Sequence, residues 1–122
     1  MVRLHYALGL TLTRLKRPDE AVSELHRAAE LAPDQARYAY VYAVGQHSAG
    51  HVEDAITTLK ENLNKHPTDR QTLLALVTFS RDAGNIASAL DYAQRLARSA
   101  PEDRRIADLV EGLKRQLESP QR

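Results

Sequence analysis

Ala21-Val22-Ser23-Glu24-Leu25-His26-Arg27-Ala28-Ala29-Glu30-Leu31-Ala32-Pro33-Asp34 is the stretch on which the fold turns. Its skeleton is Ala21, Leu25 and Pro33. It returns as Ala55, Leu59 and Pro67, and again as Ala89, Ala93 and Pro101. The differences 67−33 and 101−67 are both 34. Lys16, Gly50 and Gly84 form a further column at the same interval. Coincident columns at one period describe a single helical unit copied three times.

Working outward, each unit reads as two antiparallel helices. Leu4, Leu8, Leu12 and Leu15 recur at helical spacing until Lys16-Arg17-Pro18-Asp19 breaks the pattern. Pro18 suits the first turn of the next helix, and Asp19-Glu20 suit its positive end. That helix is expected to bury Ala21, Val22, Leu25, Ala28, Ala29 and Leu31, and to stop at Ala32-Pro33. The second unit is read as Ala36 to Ser48 and His51 to about Lys65, and the third as Arg70 to Ala83 and Ile86 to about Ser99. Gly50 and Gly84 stand where a helix end needs a left-handed residue. Asp34, Thr68 or Asp69, and Asp103 are the expected N-caps of the next helices. Ile106, Leu109, Val110, Leu113 and Leu117 mark a final helix whose other side is charged, as a capping helix requires. The expected organisation is one repeat domain over 1–118. Its units run over about 2–35, 36–69 and 70–103, followed by the capping helix at about 103–118 and a frayed tail at 119–122.

The bulk numbers exclude several classes. With 43% hydrophobic and 27% charged residues, the chain has the composition of a folded protein. Five Tyr, one Phe and no Trp put the packing on Leu, Ala and Val. A net charge of +1 selects neither nucleic acid nor an anionic membrane, and zero Cys excludes disulfides and thiolate metal sites. No apolar run approaches the roughly 20 residues needed to span a bilayer. The N-terminal residues carry no signal-peptide core, so a cytoplasmic location is expected, or a periplasmic one if the chain is excised from a longer protein. Arg outnumbers Lys 13 to 4, a bias common in GC-rich bacterial genomes.

These columns resemble the tetratricopeptide repeat, whose pattern is W-x2-L-G-x2-Y, then A-x3-F, then P. The first unit offers His5-x2-Leu8-Gly9-x2-Leu12, Ala21-x3-Leu25 and Pro33. The second offers Ala39-x2-Tyr42-Ala43-x2-Gln46, Ala55-x3-Leu59 and Pro67. The third offers Leu73-x2-Leu76-Val77-x2-Ser80, Ala89-x3-Ala93 and Pro101. No unit keeps the Trp, and Asn62 places an amide in a column otherwise held by Ala28 and Leu96. The resemblance implies an all-α, right-handed superhelix (solenoid) of three helix-turn-helix units plus a C-terminal capping helix. It also implies a non-catalytic scaffold for protein–protein interaction.

The resemblance further implies that the first helix of each unit lines a concave groove. The columns across it contain Arg3 and Arg37; Tyr6, Tyr40 and Leu74; Leu10, Val44 and Thr78; and Thr13, His47 and Arg81, with Arg14 at the edge. Tyr and Arg are common binding anchors. The expected partner is therefore a protein or peptide with apolar anchors and some acidic character. Alternatively, Tyr6 and Tyr40 pack only against neighbouring helices. The family's carboxylate clamp for chaperone tails is not matched, because its positions hold Tyr6, Leu10, Val41, Gln71 and Ala75. The first helix has no covering partner for its flank at Leu4 and Leu8. Either an upstream repeat precedes it, making the chain a C-terminal piece of a longer protein, or the flank pairs two copies.

Catalytic chemistry finds no residues to carry it: there is no G-x-S-x-G, Walker loop or G-x-G-x-x-G. His47 and His51 are four apart but straddle the turn at Gly50, and all five His are read as surface residues. Asp19-Glu20, Glu53-Asp54 and Glu102-Asp103 are explained by helix starts. Arg3, Arg14, Arg37 and Arg81 make a thin basic track, offset by Asp82, so nucleic acid is not the expected partner. No catalytic residue, metal or cofactor is expected, nor any membrane.

Overall fold

In the computed structural model, residues 1–119 are described. They form seven α-helices: α1 Val2–Arg14, α2 Pro18–Leu31, α3 Ala36–Ser48, α4 Val52–Lys65, α5 Arg70–Asp82, α6 Ile86–Ser99 and α7 Arg104–Glu118. There is no strand among the described residues. The chain is thus an all-α helical-repeat fold. Of the tail expected at 119–122, only Ser119 lies within the described residues.

The chain divides into two compact units, the first from Met1 to Pro67 and the second from Thr68 onward. In the first, α1 packs on α2, α2 on α3 and α3 on α4. Its core is small-residue and leucine packing: Ala21, Leu25, Ala28, Ala43, Ala55, Leu59 and Leu63 are buried. Leu25 is the central knob. A Cβ at Gly9 of α1 would meet its Cδ2 at 2.6 Å, and one at Gly45 of α3 would meet its Cδ1 at 2.9 Å. Two glycines on different helices therefore make the socket for one leucine, and α1 and α3 close on α2 from both sides. The second unit packs α5 on α6 and α6 on α7. Leu73, Leu76, Ala89, Ala93, Leu96, Ile106 and Leu113 are buried there.

The column at 16, 50 and 84 has one conformational role. φ is +90° at Gly50, +84° at Gly84 and +59° at Lys16. At each turn the residue after the column donates its N–H five residues back, and the column residue donates three back. The pairs are His51 to Gln46 and Gly50 to His47, Asn85 to Ser80 and Gly84 to Arg81, and Arg17 to Leu12 and Lys16 to Thr13. This is the Schellman closure, which satisfies the last carbonyls of the helix. The first unit makes it with a side chain present.

Two expectations about α2 and α3 need correction. Leu31 is 48% exposed, because it lies in the final turn of α2, past the core contacts. Asp34 does not cap α3; Gln35 stands at that position and its side chain makes no capping bond. The tight connection after Pro33 is held by backbone bonds instead, with Gln35 N–H donating to Ala32 O. Asp69 and Asp103 do cap, accepting from the N–H of Thr72 and of Arg105. The polar group at 62 is satisfied: the buried Asn62 donates from Nδ2 to Ala36 O at 3.1 Å.

Candidate interaction face

α1 and α3 come together at the N-terminal end of the first unit through aromatic and guanidinium chemistry. The rings of Tyr6 and Tyr38 meet edge to face, 5.3 Å apart at 76°. Arg37 donates from Nη2 to Tyr6 Oη at 3.1 Å, and its guanidinium carbon lies 5.8 Å from the Tyr6 ring centroid. An edge-to-face pair with a cation beside one ring suits the aromatic quadrupole. Tyr6 is half-buried by these contacts, and Tyr40 and Val44 are half-buried as well. Leu10 is 38% exposed, and Arg3 and Arg14 are exposed.

At the other end of the same helices, a hollow of about 310 Å³ is lined by Thr13, Lys16, Pro18, Ala21, Gly45 and Ser48. Thr13 turns its hydroxyl inward to Gly9 O, and Arg14 donates to Thr11 Oγ1. Neither α1 nor α3 contains an Asp or a Glu, whereas Arg3, Arg14 and Arg37 lie on them. The face is therefore cationic, with Lys16 extending it into the hollow. On α5, in the second unit, Leu74 is half-buried and Thr78 and Arg81 are exposed.

Sequence reasoning did not single out Tyr38. Its signal was its place beside Arg37 at the start of α3, but only the approach of α1 to α3 makes it the partner of Tyr6. The reading of all five His as surface residues is corrected at two positions. His5 Nδ1 is 2.6 Å from Glu24 Oε1 with its side chain only 16% exposed, pinning α1 to α2. His66, the residue that ends α4, has a buried Nε2. His47 lies in the last turn of α3 and His51 caps α4, on different elements. Among the described residues, no group of three or more His, Cys, Asp or Glu is placed to hold a metal. No helix among them is long and apolar enough to cross a membrane.

Residues 2–35 match the family model described as tetratricopeptide repeat, which is the whole of the first helix pair with its connections. The same architecture appears in solved structures of low identity. MamA 41-end from Desulfovibrio magneticus RS-1 is 20% identical, with a TM-score of 0.77 over 92% of this chain and 63% of its own. The Sgt2 tetratricopeptide domain from Aspergillus fumigatus is 16% identical, with a TM-score of 0.80 over 99% of this chain and 85% of its own. The Yersinia enterocolitica type III secretion chaperone SycD, in complex with a peptide of the translocator YopD, is 12% identical. Its TM-score is 0.78 over 92% of this chain and 91% of its own. No curated protein sequence matches. The match to the tetratricopeptide repeat thus covers residues 2–35, the rest of the chain shares the fold of these structures, and the chain spans less than two thirds of the MamA structure.

Proposed function

We propose that this chain is a non-catalytic interaction module that holds an acidic, apolar-anchored peptide or protein segment against the α1/α3 face. The observation that carries the reading is charge placed beside apolar surface. Arg3, Arg14 and Arg37 lie on the same two helices as Leu10, Tyr40 and Val44, and neither helix supplies a carboxylate to neutralise them. Arg37 is held over Tyr6 before any partner arrives, so less side-chain freedom is lost on binding. The hollow beside Lys16 accepts an apolar side chain next to an acidic one. Neighbours of the same fold support a peptide as the occupant, since SycD is seen with a peptide of YopD. Leu74, Thr78 and Arg81 of α5 are proposed as contacts on the second unit taken by itself.

The test uses exposed residues, so that the fold is kept. The wild type and an Arg3→Glu, Leu10→Asp, Arg14→Glu variant serve as baits for capture and mass spectrometry, after circular dichroism shows both helical. A partner retained by the wild type and lost by the variant is the expected result. Equal retention by both moves the binding surface elsewhere.

A second reading is favoured by one observation. Leu4 is 64% and Leu8 43% exposed, one turn apart on α1. This flank fits self-association of two copies.

A further inference from the structure

The second helices of the first unit carry the opposite chemistry. α2 and α4 hold seven acidic residues (four and three) against Arg27, Lys60 and Lys65. Between their C-terminal halves opens a cleft of about 430 Å³, lined also by Ala39 and Tyr42 of α3 and by Pro33 and Gln35 of the connection before it. Sites for small ligands and side chains have volumes of roughly 300–1,000 Å³. One wall is aromatic: the His26 ring stacks on Tyr42 with centroids 4.8 Å apart and planes inclined by 29°. Glu30 lines the cleft from α2 and Glu61 from α4, and Lys65 is the sole lysine or arginine in the lining. Burial first, and then Asp54, Glu30 and Glu61, push the Tyr42 phenol up from its ordinary value, so the negative field reaches the ring.

We infer that this cleft docks an arginine side chain carried on an extended segment of a partner protein. A guanidinium is planar, stacks on aromatic faces and presents forked N–H pairs to carboxylates. A stacked His–Tyr pair, with Glu30 lining from α2, its Oε1 3.9 Å from His26 Nδ1, and Glu61 lining from α4, offers both modes at once. A lysine ammonium would gain the electrostatic part without the fork. Anionic groups are opposed by Glu30 and Glu61. The site shares no lining residue with the α1/α3 face, so the two surfaces stand or fall separately.

The experiment is a titration of the isotopically labelled chain with the blocked peptide acetyl-Gly-Arg-Gly-amide, followed by nuclear magnetic resonance. Its uncharged counterpart with citrulline for arginine is titrated in parallel. Saturable shifts of the Glu30, Tyr42 and Glu61 amides are expected with arginine. Binding should be roughly tenfold weaker or more with citrulline, and likewise for a Glu30→Gln, Glu61→Gln variant. Both glutamates are exposed, so that variant should keep its helices, and its dispersed spectrum verifies this directly. Equal binding of the citrulline peptide, unchanged binding by the variant, shifts confined to other amides, or no saturation each overturns the assignment. Dilution-dependent shifts of the same amides in the protein alone would put a second copy's arginine there and overturn the assignment to a different partner.

Discussion

Gly9 and Gly45 owe their place to one side chain. Alanine is the better helix former by about 1 kcal/mol, so local propensity favours replacing either glycine. Leu25 reverses that preference, since a Cβ at Gly9 would lie 2.6 and 2.7 Å from its Cδ2 and Cγ. Overpacking of this kind costs about 1–3 kcal/mol. Gly9→Ala is therefore expected to lose about 1 kcal/mol net, read from urea denaturation. Gly45→Ala meets only the far end of Leu25, at 2.9 Å, and is expected to lose less. A Gly9→Ala protein as stable as the wild type would mean that Leu25 swings clear of its socket. Lys16 shows the converse case. It adopts the left-handed conformation that Gly50 and Gly84 adopt, because the closing hydrogen bonds demand it, and its side chain is exposed.

At the scale of the element, the helix ends decide where each helix starts and how it responds to acid. Asp103 caps α7 and also accepts from Arg70 Nη2 at 3.0 Å, tying the start of α5 to that of α7. The hydrogen bond from Arg70, followed by those from the backbone of α7, holds its carboxyl below the ordinary 3.8. A carboxyl whose folded value lies below its unfolded one stabilises the fold fully above the unfolded value. The contribution fades as pH falls through the folded value. Asp103→Asn keeps a capping oxygen but loses the charge. It should be less stable than the wild type at neutral pH, with the gap closing below about pH 4 in thermal unfolding followed by circular dichroism. A gap that stays constant from pH 7 to acid would show that the ion pair is not its source. The same scale explains the surfaces of the first unit: α1 and α3 carry arginines without carboxylates, while α2 and α4 are net acidic, so the two pairs of helices are opposite in sign.

For the whole molecule, the exposed flank of α1 sets an expectation about assembly. If Leu4 and Leu8 pair two copies, sedimentation of the wild type gives a dimer, and Leu4→Glu with Leu8→Glu gives a folded monomer. A wild type that sediments as a monomer at all concentrations removes that reading. Much of the fold was legible beforehand. Pro18, Ala36, Gly50, Arg70, Gly84 and Ile86 mark helix boundaries through signals that act over a few residues, and those boundaries are where the helices start or stop. Asp34 misled because a capping residue type lay one position too early, where the backbone of the Pro33 turn already supplied the bonds. The candidate faces were only partly legible. Arg3, Leu10 and Arg14 follow from helical spacing, but Tyr38, and the pairing of His26 with Tyr42, do not.

The amino-acid sequence by itself determined the period, the number of helices and the small residues that let them approach, because these depend on backbone conformation and on local hydrogen bonds. Only the tertiary structure decided which side chains meet. Arg37 reaches Tyr6 across 31 positions and Asn62 reaches Ala36 across 26, and neither separation leaves a trace in local pattern. Those meetings depend on how closely α1, α2 and α3 approach. Leu25 seats between two glycines as α1 and α3 close on α2, and the acidic aromatic cleft further requires α4 beside α2 and α3.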